Sequence, residues 1–244
     1  MYLRPMRFFY APVVNTPVHV LEEGEAKHLA RVLRARVGDD VLLTDGKGGR
    51  YEGQITALDK RQCAISILHV AQVAPVSPRL TLVVAPTKAT DRFEWLLEKA
   101  TEIGVSAIQP VWTERSERRQ EKGDRWQRIL VSALKQSQRF WLPELKAAMD
   151  FRGFLESSSS DAAGKFIAHC EASASADEKK HLLRAMVPGQ DSWVAIGPEG
   201  DFAQEEIAAA RAVGAKEVSL GDARLRTETA GLAAVHLMQL AQLA

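Results

Sequence analysis

Ile196-Gly197-Pro198-Glu199-Gly200-Asp201-Phe202 and, a little further on, Leu220-Gly221-Asp222-Ala223-Arg224-Leu225-Arg226-Thr227-Glu228-Thr229-Ala230 decide the reading of this chain of 244 residues. Each stretch sets a tight loop between an apolar, strand-like run and a run of helical periodicity. Loops at the carboxyl ends of strands are where open α/β sheets hold their ligands. Two of them close together can build one pocket lined by backbone. In the first loop the glycines permit positive φ and close approach of a ligand to the main chain, and Pro198 stiffens the turn. Asp201 followed by Gln204 reads as a capping box that opens the next helix. In the second loop Thr227 reads as a helix N-cap. Arg226 just outside it can bind a carboxylate or phosphate, or pair with a neighbouring acid.

Upstream of these loops the pattern keeps alternating. Strands are expected at 80–85, 107–112, 146–149, 165–170, 192–196 and 217–220, and helices at 91–103, 124–138, 177–186, 203–213 and from 227 onward. Such alternation predicts a mostly parallel sheet covered on both faces, an α/β domain. Pro75-Val76-Ser77-Pro78 reads as a linker. Before it, residues 1–72 are mostly β, with strands at 18–21, 41–44, 50–58 and 63–70. A hairpin turn is expected at Asp45-Gly46-Lys47-Gly48-Gly49, and one short helix near 25–37. The expected domains are therefore 1–72 and 73–244.

Composition narrows the function classes. An apolar content of 46% and a charged content of 26% are ordinary for a globular protein. No apolar run approaches the ~18 residues of a membrane span, and the opening lacks the apolar core of a signal peptide. A cytoplasmic protein without a membrane partner is expected. The six histidines show no zinc-like spacing, so no metal is expected. Cys63 and Cys170 are expected to be buried thiols. No Gly-x-Gly-x-x-Gly follows a strand, which disfavours a dinucleotide dehydrogenase or a conventional Rossmann methyltransferase.

Net charge is only +1, but its distribution is uneven. Lys and Arg outnumber Asp and Glu by 10 to 8 over residues 1–72 and by 13 to 10 over 73–150, and are outnumbered 9 to 13 over 151–244. A polyanion would meet the first two segments. In the short N-terminal helix Lys27, Arg31 and Arg34 share a face that Arg4, Arg7 and His28 can extend, although a solvated charged face reads as well. Between Trp112 and Arg139 lie Arg115, Arg118, Arg119, Lys122, Arg125, Arg128, Lys135 and Arg139. Trp112, Trp126, Phe140 and Trp141 lie within or beside them. Basic groups neutralise phosphates and aromatic faces stack on unpaired bases, which favours RNA contact here. The competing reading turns Trp126, Ile129 and Leu130 into a helix core.

The two loops in this order, behind a β-rich segment, resemble the 16S ribosomal RNA uridine-N3 methyltransferases of the knotted SPOUT superfamily. The resemblance runs through Met6-Arg7-Phe8-Phe9, His28-Leu29, Arg31-Val32-Leu33-Arg34, Lys88, Arg92 and Lys99-Ala100-Thr101-Glu102-Ile103-Gly104-Val105. It continues through Arg115-Ser116, Gln136-Ser137 and Arg139 to the Gly-Pro-Glu-Gly and Leu-Arg-Thr-Glu-Thr-Ala loops. It implies a PUA-like β-barrel over 1–72 that grips ribosomal RNA, and a SPOUT methyltransferase domain whose last segment closes a trefoil knot. It implies S-adenosylmethionine as cofactor, a homodimer with each active site at the subunit interface, and the 16S RNA of the small ribosomal subunit as partner. Cofactor contacts are carried over to Gly197, Pro198, Glu199, Gly200, Leu220, Gly221, Leu225, Arg226 and Thr227. RNA contacts are carried over to Arg7, His28, Arg31, Arg34, Lys88, Arg92 and Arg115. In two places the sequence departs from the family pattern: Ala223 stands where an Arg is usual, and Lys135 where an acid precedes Gln136.

Uracil N3 must lose its proton as it attacks a sulfonium methyl, so the chemistry requires alignment and a route for that proton. Arg226 is the candidate for stabilising charge on a uracil carbonyl oxygen. Glu199 and Glu228 are candidate proton acceptors, against the plainer reading that each hydrogen-bonds its own loop. Methylation of a ribose 2′-hydroxyl and a non-catalytic RNA-binding role are the competing functions.

Overall fold

The computed structural model describes residues 7–21, 26–27, 29, 35–59, 61–117, 119–158, 164–170 and 179–243. They form two compact units, one of Met1–Pro75 with Leu134–Leu142, the other of Val76–Ala133 with Pro143–Ala244.

In the first unit, strands β1 (Arg7–Tyr10), β2 (Val18–Leu21), β3 (Asp40–Thr44), β4 (Gly49–Leu58) and β5 (Cys63–Gln72) form one sheet in the order β1-β3-β4-β5-β2. The β1–β3 pair is parallel and the others antiparallel. Alternating residues supply one core, with Phe9, Leu21, Leu29, Val41, Leu43, Ile55, Cys63 and Ile65 buried together. Burial pushes the Cys63 thiol up to about 11. The expected turn at 45–49 is present: Asp45 Oδ1 accepts from the Lys47 and Gly49 backbone N–H groups at 2.7 and 2.9 Å. The 134–142 segment completes this unit. Leu142 N donates to Gly46 O, Trp141 Nε1 donates to Val73 O, and the Phe140 ring meets Phe8 edge-on. Ala26, Lys27 and Leu29 are helical, but Ala35 and Arg36 are not, so the short helix stops before the expected residue 37.

The second unit is the α/β domain that the alternation predicts. Its strands are β6 (Leu80–Val84), β7 (Ala107–Trp112), β8 (Glu144–Leu145), β9 (Met149–Asp150), β10 (Gly164–Ala168), β11 (Lys180–His181), β12 (Ser192–Ile196) and β13 (Lys216–Ser219). Their order is β11-β13-β10-β12-β6-β7-β8, with β9 beside β7, and every pairing is parallel. Helices α1 (Thr90–Ile103), α2 (Gly123–Ser137), α3 (Phe151–Ser157), α4 (Leu182–Ala185), α5 (Gln204–Ala212) and α6 (Thr227–Leu240) cover it. A sheet buried on both faces needs near-continuous apolar strands. All five residues of β12, Ser-Trp-Val-Ala-Ile, are buried. Trp193 and Ala195 join Phe151, Phe154, Phe202 and Ile207 in one core.

Helix α1 ends where it must. Gly104 takes φ +106° and its N–H returns to Ala100 O, the left-handed cap that glycine adopts at least cost. Helices α1 and α6 pack closely at Gly231, where a Cβ would lie 2.8 Å from a Leu96 methyl. The expected strand at 146–149 is instead two short strands, β8 ending before it and β9 beginning at its last residue, Met149, and the expected 177–186 helix is confined to α4, preceded by β11. Among the described residues no helix is long and apolar enough to cross a membrane.

Candidate active site

Because the strands run parallel, β6, β7, β10, β12 and β13 deliver their following loops to one edge of the sheet. β10 lies between β12 and β13, so the two motif loops leave the sheet on either side of the segment that follows β10.

The first motif loop is shaped by close packing. Gly197 and Pro198 are buried while Glu199 and Gly200 are exposed. A Cβ on Gly197 would lie 3.1 Å from the Phe202 ring and 3.2 Å from the Asp201 backbone, so the turn leaves little room for a side chain there. Asp201 takes φ +63°, a conformation that Asp tolerates better than most residues. Its carboxylate accepts from Phe202 N and Cys170 N, both at 2.8 Å. Asp201 is therefore not the helix cap expected from the sequence. Helix α5 starts after Ala203, which has no side-chain oxygen, and the cap interaction comes from Glu206 within the helix.

Glu206 is the residue that the sequence reading missed. Its side chain is buried, with Oε2 accepting from Ala203 N and Oε1 from Glu114 N, both at 2.9 Å. It thus fastens the loop after β7 to the start of α5. Its neighbours tighten the same junction. Arg115 Nη1 donates to Gly200 O at 2.9 Å, Glu199 Oε1 accepts from Lys88 N at 3.0 Å, and Lys88 Nζ pairs with Glu117 at 2.6 Å. A Glu at the third position of α5 was the available signal, masked by assigning the cap to Asp201. Glu206→Ala leaves two backbone N–H groups without acceptors, the buried one of Ala203 and the part-buried one of Glu114. A loss of about 2–4 kcal/mol in urea unfolding of the full chain is expected, since each such orphan costs roughly 1–3 kcal/mol.

The second motif loop is held by the backbone. Ser219 Oγ accepts from Gly221 N at 3.0 Å, and Gly221 takes φ +126° with nothing within 4 Å of the position a Cβ would occupy. Backbone angle, not crowding, requires glycine there. Leu225 is half-buried, while Ala223, Arg224 and Arg226 are exposed. Arg226 is the N-cap of α6, its carbonyl accepting from Ala230 N, and Thr227 is the first helical residue, buried. The cap therefore falls one residue earlier than expected. Glu228, buried in the first turn, is favoured there by the helix dipole and lies 3.8 Å from Arg92. Among the described residues the Arg226 guanidinium has no partner.

The candidate RNA contacts divide. Arg7 pairs with Asp39 at 2.5 Å, whereas His28, Arg31 and Arg34, like Arg118, fall outside the described residues. Lys88, Arg92 and Arg115 are all in the second unit, and Lys88 and Arg115 already hold protein partners. The aromatic part of the RNA reading is corrected for Trp126. That ring is buried and meets Phe93 edge-on at 4.9 Å, so α2 uses it as core. Arg125 pairs with Glu94 and Arg119 with Asp150. Cys170 is also corrected: at the open end of β10 its thiol is exposed. Among the described residues no cluster of His, Cys, Asp and Glu could hold a metal ion.

Loops built of glycine and uncommitted backbone, with exposed guanidiniums at Arg224 and Arg226 and no phosphate-binding fingerprint, suit a flat, polar ligand. Comparison with known proteins agrees. A family model described as an RNA methyltransferase domain matches residues 75–239, and one described as an RNA methyltransferase PUA domain matches 21–68. The chain is 33% identical over 212 residues to the ribosomal RNA small subunit methyltransferase E of Synechocystis, covering 86% of this chain and 69% of that one. Its fold matches the crystal structure of a probable rRNA-methyltransferase from Porphyromonas gingivalis with a TM-score of 0.88 at 36% identity, over 98% of this chain and 99% of that one. It also matches a ribosomal RNA small subunit methyltransferase E from Neisseria gonorrhoeae bound to S-adenosyl methionine. There the TM-score is 0.82 at 33% identity, over 96% and 97% of the two chains.

Proposed function

The chain belongs to the ribosomal RNA small subunit methyltransferase E family of RNA methyltransferases, and on that premise we propose that it methylates N3 of a specific uridine in 16S ribosomal RNA, using S-adenosylmethionine. The observation that carries this reading is the delivery of both glycine-bearing loops to the same sheet edge, flanking β10.

The residues fit the cofactor. Gly197, Pro198, Glu199 and Gly200 on one side and Leu220, Gly221, Leu225, Arg226 and Thr227 on the other would hold it, largely through backbone groups. The open space beside Gly221 supports this, because a side chain there would occupy it. When bound, S-adenosylmethionine supplies an electrophilic methyl group on sulfonium sulfur. The chain's own part is alignment and charge. Arg226, exposed at the start of α6, would donate to a uracil carbonyl oxygen as negative charge develops on the base.

Glu199 and Glu228 are both engaged, the first with Lys88 N and the second beside Arg92. A structural role for each follows more directly than proton transfer. In single-turnover methylation, Glu199→Gln and Glu228→Gln are expected to keep the pH profile of the parent. A profile that loses its acidic limb in either variant identifies that carboxylate as the general base.

The first 72 residues, with the 134–142 segment that completes their unit, act as a PUA-like barrel that grips RNA, and the rest of residues 73–244 is the methyltransferase domain. The chain path supports a trefoil knot: β12 enters between β6 and β10, and α6 then packs against β6 and α1. Trp95 on α1, and Leu240 and Leu243 at the chain's end, are exposed apolar side chains that suit a second copy of the chain. A ribosomal RNA substrate supports a cytoplasmic location.

The deciding experiment incubates unmethylated small subunits with the protein and labelled cofactor, then digests the RNA. Label on a single uracil base at N3 is expected. Label on a ribose 2′-hydroxyl, or none, overturns the proposal.

A further inference from the structure

One buried polar cluster at the same sheet edge takes no part in the proposed chemistry. The side chain of His169, directly after β10, is 1% exposed. Its Nε2 lies 2.8 Å from Glu217 Oε2 and its Nδ1 lies 3.0 Å from Lys179 Nζ, which also donates to the His169 carbonyl at 2.8 Å. An ammonium only donates, so Nδ1 must be the acceptor. The single ring proton is therefore on Nε2, donated to Glu217. Glu217 lies in β13, two residues before Ser219, whose hydroxyl holds Gly221. The other oxygen of Glu217 faces Arg211 of α5 at 3.6 Å. On its other side, the residue after His169 is tied to the first motif, because Cys170 N donates to Asp201. His169 itself has both ring nitrogens occupied and no access to solvent, so it cannot take the uracil proton.

We infer that His169 is a positioning residue: the end of β10 is a tie that fixes loop 220–227 through His169 and Glu217, and loop 197–200 through Cys170 and Asp201. The tie joins neighbouring strands β11, β13, β10 and β12 across the edge where both loops emerge. The inference that these bonds tune cofactor affinity rests on the proposed cofactor site. The inference that they order the loops does not.

The charges around the ring give it a recognisable pH signature. Burial, then the Lys179 ammonium, hold its pKa below the usual 6.5, while Glu217 and Asp201 pull in the opposite direction. Arg211 faces the ring only through Glu217. Protonation at Nδ1 would place a second donor against Lys179 and break that side of the tie. The unfolded chain takes up this proton first, so stability is lost as pH falls below about 6.5 toward the lowered native value.

The test uses the full chain and has two readouts. Backbone hydrogen exchange without cofactor is expected to rise by about tenfold or more in both motif loops of His169→Ala, and to stay near the parent in His169→Gln, whose carboxamide keeps a donor for Glu217 and an acceptor for Lys179. Calorimetry with S-adenosylmethionine is expected to show about tenfold weaker binding by His169→Ala than by the parent. Parent affinity should decline only as pH approaches the native pKa of His169, which burial and Lys179 hold below 6.5, and His169→Gln affinity should not. A folded His169→Ala protein with parental exchange in both loops overturns the tie. If His169→Ala does not fold, a parental pH decline retained in His169→Gln overturns it instead. A parent that shows the exchange pattern but binds no cofactor refutes the cofactor reading and leaves the tie standing.

Discussion

Arg226→Ala is expected to lower the methylation rate by about two to three orders of magnitude while changing the affinity for S-adenosylmethionine only a few-fold. The reasoning starts from what the side chain does not do. Arg226 caps α6 through its backbone: its carbonyl accepts from Ala230 N and its side chain makes no capping bond. Truncating an exposed N-cap that caps nothing with its side chain leaves α6 in place. What is removed is a five-donor cation beside a loop whose other exposed groups are backbone, Ala223, Arg224 and Asp222. In the proposed reaction such a group acts when charge moves onto the uracil, so the loss is expected in kcat rather than in binding. Arg226→Lys restores charge without the planar fork and is expected to recover only part of the rate. Single-turnover kinetics with saturating RNA make the measurement. A raised KM with unchanged kcat would assign Arg226 to ground-state binding and remove it from the chemistry.

The largest effect on stability is expected at Phe202. Its ring is fully buried, packs 4.9 Å from the Phe151 ring, and lies against Gly197 at the turn of the first motif. Phe202→Ala opens a cavity between the loop and the sheet core and costs about 3–5 kcal/mol. For a protein of this size that lowers the melting temperature by on the order of 10 °C, read from the calorimetric transition of the α/β unit. Phe202→Leu fills most of the space and recovers most of the loss. The Ala variant is also expected to bind S-adenosylmethionine more weakly even where it is folded, because the turn at Gly197 loses the surface it rests on. Equal melting temperatures for the parent and the Ala variant would show that the loop is not anchored through this ring.

Glu206 and Trp126 show where reading the sequence stopped. The helix expected at 91–103 is α1, whose Phe93, Leu96, Leu97 and Ala100 are buried and whose Ile103 is half-buried. The apolar run at 192–196 became a strand buried on both faces. Trp126, by contrast, stands among cations in the sequence, and the same pattern fits a stacking platform or a core residue. Only the presence of Phe93 across the helix pair decides for the core. Glu206 gave no sign that one of its oxygens accepts from Glu114 N, because that contact joins residues 92 positions apart. His169 is similar, held by partners from the segment before β11 and from β13 that no local spacing brings together.

The sequence by itself determined most of the elements, the parallel α/β class, the glycines that the two motif loops require and, through the ordered motifs, the family. These follow from local terms: apolar period, backbone angle, and residue types in order along the chain. Only the tertiary structure decided which buried charges tie the loops together, where α5 and α6 are capped, that Cys170 faces solvent, and that Trp126 is core. Those outcomes depend on which strands become neighbours in the sheet, and strand order is set by burial and pairing across the whole domain, not by any single stretch of chain.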